Sequence, residues 1–120
     1  MPNGDIDTFD ALFDVVKTEG TAAFTDLKDG IMDIGGDVII PQMREIATAV
    51  WDVMEGLAAG DYTPEGAAEL LDMSRRAIAT VIAGATELAF TEVQAAITRI
   101  YRALFNLVGG AVQTAINAVL

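Results

Sequence analysis

The sequence predicts an all-α fold: an elongated helical hairpin or three-helix bundle with a long C-terminal helix, packed in an oligomer. Three observations carry this expectation. Apolar residues recur at steps of three and four along nearly the whole chain, as on one face of a helix, and nowhere alternate as in a half-buried strand. Of the three prolines, Pro41 and Pro64 each stand where a helix can begin. After Pro64 no proline interrupts the chain to its end.

The first helix is expected over residues 8–34, where Phe9, Phe13, Val16, Gly20, Ala23, Leu27, Ile31 and Ile34 form one stripe in phase. Gly35-Gly36 and then Pro41 are expected to end it, because glycine favours the disordered backbone and the residue before a proline is pushed out of the α region. The β-branched run Val38-Ile39-Ile40 then reads as an extended, buried connector. A second helix is expected over residues 42–59, with Met43, Ile46, Ala47, Val50, Val53, Met54 and Leu57 inward and Trp51 off the centre of that face.

The third helix has the clearest start, since Thr63 can cap, Pro64 suits the first helical position and Glu65 favours the positive end of the dipole. From there Ile78, Ile82, Ala85, Ala89, Val93, Ala96, Ile100, Leu104, Leu107, Ala111, Ala115 and Ala118 repeat a four-three-four spacing every eleven residues. An eleven-residue period corresponds to about 3.67 residues per turn and keeps neighbouring helices almost straight. The spacing predicts one helix over residues 64–120, kinked at Gly109-Gly110, and the whole chain as a single helical domain.

Composition then limits function. With 52% hydrophobic residues and 11 glycines, the chain is more apolar than an ordinary globular protein, and a partner is expected to cover the excess. The assembly interface is placed on the third helix, at Ile78, Ile82, Val93, Ile100, Leu104 and Leu107. The expected partners are copies of the chain itself or other subunits of an assembly, and a shell, sheath or virion component is one concrete setting.

The formal net charge is −11, and the acids concentrate before Asp72, with only Glu87 and Glu92 beyond it. Seven scattered bases form no basic stripe, which argues against a nucleic-acid partner. There is no cysteine and no histidine, so thiolate nucleophiles, disulfides, zinc ribbons and the commonest general base are all missing. Ser74 is the only serine and lies in no nucleophile elbow; no glycine-rich phosphate loop is present. The chain is therefore expected to be non-enzymatic, with no catalytic, cofactor-binding or metal-ligating residues.

Two acidic groupings need weighing. Asp26, Asp29, Asp33 and Asp37 step by three and four, which would align them on one helix, but a straight helix splays such carboxylates too far apart to enclose a cation. Glu87 and Glu92 lie in an apolar stretch, yet a di-iron bundle needs Glu-x-x-His units that this chain cannot supply.

The alternative to assembly is a membrane-associated or membrane-embedded protein that uses residues 77–120. Arg75-Arg76 and Arg99/Arg102 bracket an apolar stretch, and eighteen uncharged residues follow Arg102, near the lower limit for a span of about 20. Glu87 and Glu92 count against it, at roughly 2.5–3.5 kcal/mol each near mid-bilayer. The amino terminus has no basic segment followed by an apolar one, so no Sec signal peptide is expected and the protein is expected to be cytoplasmic at synthesis.

Overall fold

In the computed structural model, which describes residues 8–108 and 110–120, the chain forms five α-helices and, among those residues, no strand. They are α1 (Phe9–Leu27), α2 (Ile31–Ala59), α3 (Pro64–Ala85), α4 (Phe90–Phe105) and α5 (Gly110–Val119). The all-α expectation holds, but the three long helices do not. Residues 1–7 and Gly109, one half of the expected kink, lie outside the described residues.

Helix α1 opens on Thr8, whose hydroxyl accepts from the Ala11 amide at 3.1 Å. It stops at Leu27 rather than Ile34, because the chain turns through Lys28, Asp29 and Gly30. Gly30 has φ +79°, a conformation that costs an L-residue about 1–2 kcal/mol and glycine nothing. Helix α2 then begins eleven residues before the sequence suggests and runs through both Gly35-Gly36 and Pro41. The expected extended connector at Val38-Ile39-Ile40 is helical, with Ile39 fully buried.

Tertiary contact overrides the local preference at both places. Gly35 is buried where a Cβ would stand 3.1 Å from the Thr86 methyl, so its lack of a side chain lets α2 approach the turn that follows α3. Pro41 projects from the exposed side of α2, where its missing amide and its ring weaken the helix without disturbing the core.

The end of α2 and the start of α3 fall where the sequence places them. Gly60, φ +79°, caps α2, and Thr63 accepts from the Gly66 amide at 3.1 Å to open α3 with Pro64 at its first turn. Gly56 and Gly60, a Gly-x-x-x-Gly pair, stand at the end of α2. The Tyr62 ring lies over Gly56 and leaves no room for a Cβ there, and the Asp61 and Tyr62 amides both donate to the Gly56 carbonyl. This Gly-x-x-x-Gly ends a helix.

The expected continuous helix over 64–120 is three helices. At the first break the Thr86 hydroxyl donates to the Ile82 carbonyl at 2.7 Å and accepts from the Leu88 amide at 3.3 Å. A side chain here takes over main-chain bonding, and Leu88 drops into the core. At the second break Leu107 and Val108 close a turn onto Leu104, and Gln113 donates to the Phe105 carbonyl at 3.0 Å. Gly110 has φ +61° at the head of α5.

Each break turns the chain back, so α4 runs antiparallel to α3, with Tyr101 against Leu71 and Arg75 against Thr98. Helix α4 also packs on α1, and α5 closes one side of α3. The five helices surround one core and span 40 × 24 × 18 Å, less than half the length of the single helix of roughly 85 Å that residues 64–120 would make at about 1.5 Å per residue. Burial decides between the two. An unbroken helix would leave most of its stripe in water, whereas each of Ile82, Val93, Ile97, Ile100 and Leu104 is fully buried in the folded-back chain, worth about 1.5–3 kcal/mol per side chain.

Candidate interaction surface

The residues expected to bind other subunits sit mainly in this core. Ile82, Val93, Ile100 and Leu104 are fully buried and Ile78 nearly so, while Leu107 is half-buried at the rim beside Val15. The apolar surplus that called for a partner is thus largely covered by the chain itself. Ile34, expected inward, is 76% exposed, because the turn at 28–30 redirects the helix that carries it.

One polar cluster ties three helices together. Arg75 donates to Asp72 Oδ1 at 2.6 Å, to the Thr98 hydroxyl at 3.2 Å and to the Val119 carbonyl at 3.1 Å, linking α3 to α4 and α5. Its Nε is buried without a partner. Arg76 holds the other oxygen of Asp72. The Arg76 hydrogen bond, opposed by partial burial and reinforced by Arg75, sets the Asp72 carboxyl below its ordinary value. Beside it, Tyr101 donates to the Leu71 carbonyl at 3.0 Å, and burial pushes its phenol above the ordinary range. Apart from Arg75 Nε, these groups bond one another and fasten helices.

The acidic residues are divided by the turns. Asp26 ends α1 and pairs with Arg99 at 2.6 Å, which raises the Arg99 pKa, while Asp29 lies in the turn and Asp33 and Asp37 on α2. Among the described residues no three acids are placed to hold a metal ion. Glu87 is an exposed turn residue 3.6 Å from Lys28, and Glu92 accepts from the Ala89 amide at the head of α4. On the far side, Trp51 meets the edge of Phe9, and Arg44 lies over the Phe9 and Phe13 rings at 5.4 and 5.2 Å, a packed aromatic cap over α1 and α2.

The stretch 77–120 is divided among α3, α4 and α5. Among the described residues no helix is long and apolar enough to cross a membrane.

Exposed apolar side chains also stand singly at Tyr62, Phe90 and Leu120, but on the outer face of α3 they form a run. Leu70, Met73 and Val81 are 40%, 63% and 45% exposed, and Ala77 and Gly84 are exposed between and beyond them. At about 100° per residue all five point within roughly 40° of Ala77, about 100–140° around the helix from Leu71, Ile78 and Ile82 in the core. Helix α3 therefore carries two apolar faces. Ile34 joins the outer one from the neighbouring helix, sharing a shallow depression with Gly84 and Ala85. Sequence reasoning missed this face because it assigned one stripe per helix. The signal was present as Leu70, Met73 and Val81, large apolar residues out of register with the stripe through Ile78 and Ile82.

Comparison with protein-family models, with curated proteins and with solved structures finds no match for this chain.

Proposed function

We propose that this chain is a non-enzymatic helical module that works by association with further copies of itself, through the outer face of α3 and the start of α2. The observation that carries the reading is the uncharged stripe Leu70, Met73, Ala77, Val81 and Gly84, extended by Ile34, on an otherwise strongly acidic protein. Contiguous exposed apolar surface of this kind marks contact sites. The lack of histidine and cysteine, and the use of Asp72, Arg75 and Tyr101 in bonds that tie helices together, support a role by contact over one by chemistry.

Covering the four large side chains removes on the order of 400 Å² from each copy, roughly 800 Å² in all and below the about 1,200 Å² at which stable specific interfaces begin, so the contact is weak unless repeated in an array. The expected dissociation constant is roughly 10–1,000 µM.

Sedimentation velocity from 10 µM to 1 mM tests this. The native chain should shift to larger species as concentration rises, and Met73→Glu should stay monomeric with unchanged circular dichroism, because Met73 is mostly outside the core. A native chain that stays monomeric at 1 mM would refute the proposal.

A further inference from the structure

The charges around the α3 stripe point to a partner other than a second copy. Helix α2 runs antiparallel to α3 across the short turn at 60–63, and Ile34 beside Gly84 sets their register. Counted along both helices from that pair, Pro41 stands level with Ala77, Glu45 with Met73 and Asp52 with Gly66, to within about one helical turn. At about 100° per residue Pro41, Glu45 and Asp52 point within roughly 20° of Ile34, and all are exposed. On the other border Glu65 and Glu69 are exposed, about 80–120° around α3 from Ala77 on the side turned toward α5. The uncharged stripe thus lies between two acidic rails. The nearby bases are engaged within the chain: Arg76 holds Asp72, Lys28 stands 3.6 Å from Glu87, and Arg44 lies over the Phe9 and Phe13 rings.

We infer that this face docks a basic amphipathic helix of another protein. Its apolar side covers Leu70, Met73, Val81 and Ile34, and its lysines or arginines reach Glu45 and Asp52 on one rail and Glu65 and Glu69 on the other. This goes beyond association between copies. The apolar area alone falls short of a stable interface, and a second copy adds a further charge of −11, whereas a basic helix adds attraction where area is lacking. The shape of the face fits a helix, since the stripe runs straight for about 21 Å from Leu70 to Gly84, the apolar side of roughly four turns. The same rails repel nucleic acid and anionic membranes.

The probe is a synthetic peptide of about eighteen residues with leucines at i, i+3, i+4 and i+7 and lysines on both borders of that side. One comparison peptide carries glutamate for every lysine, and another keeps the composition but shuffles the order so that no apolar side forms. Titrated into nitrogen-15-labelled protein, the first peptide should move amide signals of residues 34–52 and 65–84 and leave those of α4 in place. Its dissociation constant should rise at least tenfold for Met73→Gln, which keeps the charge, and for the pair Glu45→Gln and Asp52→Asn. The pair Asp10→Asn and Asp14→Asn, an equal loss of charge at exposed positions of α1, should change it less than twofold. Raising salt from about 20 to 500 mM should weaken binding at least tenfold. No signal movement at about 1 mM peptide overturns the inference, as does equal binding by either comparison peptide. It is also overturned if Met73→Gln binds as the native chain does, or if the α1 pair weakens binding as much as the α2 pair, which reduces the contact to general attraction. Copies that associate in sedimentation without binding the peptide leave the self-association reading standing and remove this one. Peptide binding by a chain that stays monomeric at 1 mM does the reverse.

Discussion

Gly20 in α1 and Ile100 in α4 offer a test of the folded-back architecture, because they are 80 residues apart in sequence and share one contact. A Cβ added at Gly20 would stand 2.7 Å from the Met43 terminal methyl, 3.0 Å from its sulfur and 3.2 Å from the Ile100 Cδ1. Gly20→Ala gains about 1 kcal/mol of helix propensity and loses roughly 1–3 kcal/mol to crowding, for a net destabilisation of about 0–2 kcal/mol. Ile100→Val deletes that Cδ1 and by itself costs about 0.5–1.5 kcal/mol. Combined, the new methyl occupies space the lost one vacated, while Met43 yields at the end of a flexible chain. The double variant should therefore be more stable than the sum of the single effects by about 0.5–1.5 kcal/mol. Urea unfolding of the four proteins, followed by circular dichroism at 222 nm, measures this. A coupling within about 0.3 kcal/mol of zero, the usual limit for independent sites, would show that α1 and α4 do not meet and would refute the fold described above.

Two further substitutions probe the polar cluster. Asp72→Asn should cost about 1–3 kcal/mol at neutral pH, since Arg75 and Arg76 lose their common anion. The Asp72 carboxyl lies below its ordinary 3.8 in the folded chain, so its contribution is present above that value and lost as pH falls through the folded one. Melting scans from pH 6 to pH 2 should show the native chain converging on Asp72→Asn; a constant gap would contradict the assignment. Tyr101→Phe should cost about 0.5–1.5 kcal/mol through the lost bond to the Leu71 carbonyl. The Tyr101 phenol is raised above its ordinary 10.0 by burial, so its resistance to ionisation stabilises only below that pH. Above pH 10 the native chain should lose stability by up to about 1.4 kcal/mol per pH unit more than Tyr101→Phe does, and parallel alkaline unfolding curves would count against a buried phenol.

The parts of the fold that were legible in the sequence are those where local chemistry and tertiary packing agree. Thr63, Pro64 and Glu65 open α3, and Gly60 ends α2, because caps and left-handed glycines act through the nearest few residues. The turns were not legible from periodicity. A turn of three or four residues, such as 28–30 or 86–89, advances the chain by about one helical repeat, so apolar positions on either side keep their phase. Ile34 shows the consequence: it is in step with Phe9 and Leu27 in sequence, yet lies on the outside of a different helix. Gly35-Gly36 and Pro41 misled in the opposite sense. Their local preference against helix is about 1 kcal/mol per glycine and about 3 for proline, less than the burial of Ile31, Ile39, Met43 and Ile46 along the same helix returns. Of the stripe expected to meet other subunits, Ile78, Ile82, Val93, Ala96, Ile100, Leu104 and Ala115 are buried within the chain itself while Ala85, Ala89 and Ala118 are exposed; which surface buries a residue depends on the two breaks, which periodicity cannot register.

The charge of the chain gives the outer face of α3 a distinct salt dependence. Asp33, Asp37, Glu45 and Asp52 are exposed on α2, the helix that borders the stripe, and the stripe itself carries no charge. Bringing two copies together therefore sets like-charged helices close to one another without forming any new ion pair. At 10 mM salt the screening length is about 30 Å, comparable to the protein, and every acid of one copy is felt by the other; at 1 M it is about 3 Å. Apolar contact does not weaken over that range, so the repulsion fades while the attraction stays. Self-association should strengthen about tenfold or more between 10 mM and 1 M sodium chloride, which concentration-dependent sedimentation at the two salts would measure. An interface held by Arg76 or Arg99 reaching acids of the second copy would behave in the opposite way, and weakening with salt would place the contact on a charged surface, away from Leu70, Met73 and Val81.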